Sequence, residues 1–213
     1  MSRRGYGQFC GLVRALELVG ERWALLVVRD LLVGPKRYTD LRRGLPRIPT
    51  NILSARLKEL EKGGVVRRRA LPRPSGGVVY ELTEYGRELE DAVMQLGRWG
   101  AKALTEPTPD EIVTVDSLIL AMRSTFRRDA ARGLDASYEL RLGGIVLNIR
   151  IDRGRLRVAP GACPGADLVI EAGPGIRALL AGEITPAEAV AKRKVRLKGD
   201  RRLLSRFAEV FRI

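Results

Sequence analysis

The chain has 213 residues, enough for two domains of about 100 residues each, and its 45% hydrophobic and 30% charged content is an ordinary globular mix. A net charge of +14 suits a polyanionic partner, nucleic acid above all, with a solvated arginine-rich surface as the alternative. The absence of histidine excludes Ser-His-Asp and Cys-His catalysis and removes the usual zinc ligand, so neither an enzyme nor a metal or cofactor site is expected.

Phe9–Val19 carries apolar residues at 9, 12, 13, 16 and 19, a helical stripe that Gly20 ends. Trp23–Val33 is a second, strongly apolar helix stopped by Gly34-Pro35, and Tyr38–Gly44 is short. After the turn Leu45–Pro49 comes the best-bounded helix, Pro49 to Lys62, with proline at its start and Gly63-Gly64 at its end. Leu53, Leu57 and Leu60 form its buried stripe, and Asn51, Ser54, Ala55, Lys58 and Lys62 point away from it. Val65–Leu71 and Val78–Leu82 read as a hairpin around the turn Pro72–Gly77. Thr83 caps a long helix predicted to reach about Ala103, and Leu104–Pro109 is the expected linker.

Beyond it, Thr108-Pro109-Asp110-Glu111 has the pattern of a capping box and predicts a helix to about Arg128. Ala136–Leu142 and Ile145–Ile151 alternate strictly around Gly143-Gly144, a two-residue hairpin signal. Strands at Arg155–Ala159 and Leu168–Glu171 follow, with Gly173-Pro174-Gly175 as a turn. Then come a short helix at Ile176–Ala181, a capped helix after Thr185-Pro186-Ala187-Glu188, a strand at Val195–Leu197 and a final helix at Asp200–Phe211. The apolar runs Ala24–Val28 and Leu118–Met122 are too short to span a bilayer, and the basic start lacks a signal-peptide apolar run, so no membrane partner is expected and a cytoplasmic location is.

The order helix, helix, short helix, capped helix, hairpin is that of a winged helix-turn-helix. Such a unit must show small polar side chains to base edges, and Thr50, Asn51 and Ser54 meet that need. Asn51 suits an adenine edge, Arg47 and Lys58 suit phosphates, and Arg73 sits at the tip of a wing with Arg67–Arg69 along its stem. Simple helix capping is the alternative for Thr50 and Asn51, and a solvated edge strand is the alternative for the stem arginines.

The run Cys10…Ala15-Leu16-Glu17-Leu18-Val19-Gly20-Glu21-Arg22-Trp23 through Gly34-Pro35-Lys36-Arg37-Tyr38 resembles the start of the HxlR family of bacterial regulators. Leu53–Glu61 and Tyr80-Glu81-Leu82-Thr83-Glu84-Tyr85-Gly86 match the same family. The resemblance covers about Phe9 to Ala103. It implies a homodimeric winged helix-turn-helix joined through its outer helices, DNA contact by Arg56, and a candidate redox sensor at Cys10, which otherwise is a small buried apolar residue.

The second half resembles the sterol-carrier-protein-like fold through Asp167–Glu171, Leu179–Ile184 and Val195–Asp200 with Leu203, Leu204 and Phe207. The whole is therefore expected to be α+β, a winged helix-turn-helix (1–104) followed by a sterol-carrier-like α/β sandwich with an antiparallel-rich sheet (105–213). That resemblance implies an apolar tunnel for a hydrophobic effector, with Tyr138, Leu140, Leu147, Ile149, Leu179, Leu204 and Phe207 as candidate lining; a filled core is the alternative. The functional expectation is a regulator of transcription that binds an operator in double-stranded DNA as a homodimer. A lipid or acyl carrier whose N-terminal half serves dimerisation is the competing class, and the polar face at 50–54 and the basic wing favour the regulator.

Overall fold

The computed structural model describes residues 5–213 except Ser75, Glu106, Pro109 and Pro174. The basic start and parts of the expected 72–77 turn, 104–109 linker, 108–111 cap and 173–175 turn lie outside the described residues. The chain packs as two compact units, Met1–Val93 and Met94–Ile213, dividing within a helix ahead of the Leu104–Pro109 stretch.

The first unit contains α1 (Gly11–Val19), α2 (Ala24–Val33), α3 (Tyr38–Gly44), α4 (Thr50–Lys62), β1 (Val66–Ala70), β2 (Val78–Leu82) and α5 (Glu84–Arg87). Val27, Val28 and Leu31 of α2, Leu41 of α3, Leu53, Leu57 and Leu60 of α4 and Leu82 of β2 form its core. Each such side chain fully removed from water contributes about 1.5–3 kcal/mol before entropy is charged against it. β1 and β2 pair antiparallel from Val66↔Leu82 to Ala70↔Val78, and Lys36 joins beside β2 through mutual backbone bonds with Tyr80 of 2.9 and 2.7 Å.

The helix expected from Thr83 to Ala103 is instead two: α5, and α6 (Glu90–Ala101). Thr83 does cap α5, accepting from Gly86 N–H, but that turn is fixed by the root of the hairpin. Thr83 donates from its backbone to Val65 and from its hydroxyl to Gly64, and Gly86 lies so close that a Cβ there would stand 2.1 Å from the Val65 carbonyl oxygen. The helical pattern is interrupted at residues 88–89, just beyond this contact.

The second unit carries most of α6, then α7 (Val115–Thr125), β3 (Ala136–Leu142), β4 (Ile145–Asp152), β5 (Arg155–Pro160), β6 (Leu168–Ala172), α8 (Ile176–Leu180), α9 (Pro186–Ala191), β7 (Val195–Gly199) and α10 (Leu203–Val210). Its five-stranded sheet has the order β5-β4-β3-β6-β7, with β3 and β6 parallel and the other pairs antiparallel. Tyr138, Leu140, Leu147, Ile149, Leu168 and Ile170 share the buried face, while Arg141, Arg150 and Glu171 are exposed on the other.

The helix expected to run from Thr108 to Arg128 begins later and ends earlier. Thr108 and Glu111 only close a turn on one another. The working cap is Thr114, whose hydroxyl accepts from Ser117 N–H while Ser117 accepts from Thr114 N–H. Phe126 leaves the helix to bridge Phe211. The final helix likewise spans Leu203–Val210 rather than Asp200–Phe211. Among the described residues no helix is long and apolar enough to cross a membrane.

Candidate nucleic-acid interface

Pro49 stands at the N-cap of α4 with extended backbone, and the helix begins at Thr50. Its first turn holds no acidic residue, so nothing there opposes an approaching phosphate through the positive end of the helix. Thr50 and Asn51 are exposed, Ser54 is half-buried, and Arg47 and Lys58 are exposed before and along the helix.

Tyr38, at the start of α3, sets this end of α4. Its hydroxyl lies 2.9 Å from the Thr50 carbonyl oxygen, to which it donates, and 3.3 Å from Ser54 Oγ. Ser54 is thus shared between a possible reader's position and a partner within the protein. The sequence reading missed Tyr38, because a tyrosine opening a short helix has no distinguishing periodicity.

Arg56 behaves differently from the rest of the expected set. Its side chain is only 14% exposed, held by Glu59 one turn on and by Glu21 at 3.7 Å. Its Nε is buried with no hydrogen-bond partner. The structure brings Arg47, Thr50, Asn51 and Lys58 to the outer surface and folds Arg56 back onto the protein.

The wing shows the same division. Arg73 is exposed at its tip, where Leu71 N–H donates to the Gly77 carbonyl at 2.9 Å. Arg37 reaches the tip from the start of α3 and donates to the Gly76 carbonyl at 3.0 Å. Along the stem, Arg67 and Arg69 both bond Glu81 at 2.8 Å, and Arg68 bonds Glu61 at 2.9 Å. Glu81 is 5% exposed, and its carboxyl is held below the ordinary range by Arg69 first and also by Arg67, against the opposing effect of burial. Arg67 and Arg69 are therefore parts of the hairpin's own ion pairs and Arg68 ties the hairpin to α4, roles that sequence could not separate from solvation.

Cys10 is exposed at the N-cap of α1, not buried as a small apolar residue would be. Its thiol is pulled below the ordinary range by the backbone N–H groups of Val13 and Leu12. Arg14, one turn on from Cys10, pairs with Glu17 at 3.0 Å. The stripe on α1 is also largely uncovered, for Phe9, Leu12 and Leu16 are exposed and only Val19 is buried within the helix.

In the second unit, Tyr138, Leu140, Leu147, Ile149, Leu179, Leu204 and Phe207 come together as core, each at most 2% exposed. The Tyr138 and Phe207 rings lie 5.2 Å apart, and Phe207 lies 4.7 Å from Phe211. The Tyr138 hydroxyl is buried without a hydrogen-bond partner, and burial pushes its pKa up to about 12.

Residues 18–108 match the family model described as HxlR-like helix-turn-helix. The HTH-type transcriptional regulator YodB of Bacillus subtilis is 38% identical over 93 residues, covering 44% of this chain and 82% of that protein. The uncharacterized HTH-type transcriptional regulator Rv3095 of Mycobacterium tuberculosis is 41% identical over 107 residues, covering 50% of this chain and 66% of that protein. The solved reduced form of YodB has 32% identity and a TM-score of 0.41 over 47% of this chain and 100% of that one. The matched residues coincide with the helices and hairpin that display Thr50, Asn51 and Arg73, and the chain belongs to the HxlR-like helix-turn-helix family.

Proposed function

We propose that this protein is a DNA-binding transcriptional regulator that acts as a homodimer and reads an operator through α4 and the β1–β2 wing. The observation that carries this reading is the polar end of α4, where exposed Thr50 and Asn51 are flanked by Arg47 and Lys58. A helix entering the major groove reads base edges with its N-terminal residues. In this reading Asn51 meets an adenine edge, Ser54 supports it, Arg47 and Lys58 meet phosphates, and Arg73 follows the backbone or minor groove. Arg56 belongs to the set only if DNA displaces it from Glu59 and Glu21. The names of the curated relatives support the same role, and DNA as partner points to the cytoplasm.

The test is a gel shift on the DNA upstream of the protein's own reading frame. Asn51→Ala is expected to reduce discrimination among sequences by about 1–3 kcal/mol at one base pair, whereas Arg73→Ala weakens all sequences alike. Unchanged specificity in Asn51→Ala overturns the placement of the reading helix.

The homodimer reading rests on apolar surface. Phe9 just before α1, Leu12 and Leu16 on it, and Leu96 and Trp99 of α6 are exposed and would leave water against a second copy. Two-fold pairing would present two reading helices about 34 Å apart, one turn of the duplex. A monomer in light scattering at micromolar concentration refutes it. Because the family match runs to residue 108, we assign 1–104 to DNA binding and dimerisation.

Residues 105–213 are proposed as a sterol-carrier-like module that takes an apolar effector. One helix-covered sheet face supports this, and the partnerless Tyr138 hydroxyl would bond a polar group on such a molecule. Organic extraction followed by mass spectrometry, with thermal shifts on fatty-acid addition, tests it; no lipid and no shift would leave a structural module. Cys10 is proposed as a redox-responsive thiol on the strength of its exposure and its lowered pKa.

A further inference from the structure

Strand β7 ends the sheet of the second unit, and a cleft of about 380 Å³ opens along it. Val190, Arg193, Val195, Arg196, Leu197 and Arg201 line this cleft; Val195 and Leu197 lie on one face of the strand and Arg196, opposite Glu171 in the ladder, on the other, so Arg193 and Arg201 are the cations left beside the apolar residues. Nearby carboxylates are engaged elsewhere. Glu188 bonds Thr185 and faces Lys192, Asp200 bonds Arg202, and Glu171 bonds Arg141 although it stands opposite Arg196 in the ladder. Among the described residues no side-chain hydrogen bond or ion pair holds Arg193, Arg196 or Arg201.

The backbone at Arg193 is a second, independent observation. α9 closes with Arg193 N–H donating to Val190 and Lys194 N–H donating to Ala189, at 3.0 and 2.9 Å. This is a Schellman closure, and it puts Arg193 at the left-handed position with φ of 53°. Glycine is the residue that such a position favours, and a side chain there is strained. The chain thus carries an arginine where its fold favours glycine, and that arginine lines the cleft.

We propose that this cleft binds a small organophosphate, with the phosphate between Arg193 and Arg201 and its apolar body on Val190, Val195 and Leu197. Guanidinium groups match phosphate oxygens in paired hydrogen bonds, and the volume falls in the range of small-ligand pockets. A phosphodiester in duplex DNA shares the anionic chemistry but offers no apolar body to the floor of a concave site. The site is separate from the core residues proposed above for an apolar effector.

Isothermal titration of the full-length protein with hexyl phosphate, inorganic phosphate and hexanol tests this. Hexyl phosphate is expected to bind at least tenfold more tightly than inorganic phosphate, and hexanol not to bind. Arg193→Gly removes a cation while relieving the left-handed strain, so it should lose tenfold or more in affinity with a melting temperature equal to or above the wild type. Arg201→Ala should lose a similar factor. Equal affinity for hexyl and inorganic phosphate, or wild-type binding by Arg193→Gly, overturns the proposal. So does weakened duplex DNA binding in these variants with hexyl phosphate affinity unchanged, which would make nucleic acid the occupant.

Discussion

Gly86→Ala and Gly97→Ala add the same methyl group and are expected to change stability in opposite directions. At Gly86 the new Cβ would stand 2.1 Å from the Val65 carbonyl oxygen, so α5 or the root of the wing must move by about an ångström to reach ordinary contact. That displacement strains the Thr83 bonds to Val65 and Gly64, each contributing about 1 kcal/mol. Losing about half of that bond energy, together with an overpacking cost of about 1–3 kcal/mol, gives a loss of roughly 2–4 kcal/mol. At Gly97, in the exposed part of α6, the nearest atom to a Cβ is Ser124 Oγ at 4.0 Å, and nothing must shift. Alanine there should stabilise the helix by about 0.5–1 kcal/mol through propensity alone. Urea denaturation followed by circular dichroism reads both, with the Gly86→Ala midpoint lower by about 1–2 M for an m-value of about 2 kcal/mol/M. A Gly86→Ala protein as stable as wild type would refute the close packing of α5 on the root of the wing.

Tyr38→Phe should cost about 0.5–1.5 kcal/mol in unfolding free energy and weaken operator binding without altering which sequence is preferred, as gel shifts on matched and mutated sites would reveal. Glu81, with its folded pKa depressed, contributes stability that is fully present above the unfolded carboxylate range of about pH 4.3 and is lost as pH falls through the lower folded value. Unfolding from roughly pH 5 to pH 3 should therefore show a flatter acid limb in Glu81→Gln than in wild type. Alkylation of Cys10 by iodoacetamide should have its midpoint at a lower pH than that of a free cysteine peptide run alongside, and Cys10→Ser should leave reduced-state DNA affinity unchanged. Equal responses of wild type and Cys10→Ser to peroxide in gel shifts would dismiss the redox role.

The parts of the site legible in the sequence are those whose boundaries are local. Gly34-Pro35 stops α2, Pro49 precedes α4, Gly63 and Gly64 end it, and the Leu53, Leu57 and Leu60 stripe fixes which face turns outward. What escaped notice depends on partners distant in the chain. Thr83 caps a helix as its residue type suggests, but Thr83 and Gly86 are also packed against Gly64 and Val65 at the root of the wing, which the local pattern does not reveal. The segment before α7 holds two good local caps, and only the tertiary setting lets Thr114 open a helix while Thr108 closes a turn. Cys10 lies beside an apolar stripe that reads as buried by periodicity, yet periodicity marks a face and not what covers it.

The distribution of charge explains why composition pointed towards nucleic acid without locating the contact. A net +14 counts every arginine equally, but the first unit spends several on its own carboxylates. Arg67 and Arg69 share buried Glu81, Arg68 takes Glu61, and Arg56 lies against Glu59 and Glu21. These pairs hold the stem of the wing and the middle of α4 in shape, and each carboxylate offsets part of the positive charge that a phosphate would meet there. Arg73 and Lys58, exposed at the tip and on the outer face, carry no such carboxylate partner among the described residues. Affinity should therefore depend on a few outer cations whose counterions are released on binding, while the stem arginines act on DNA indirectly, by fixing where Arg73 stands.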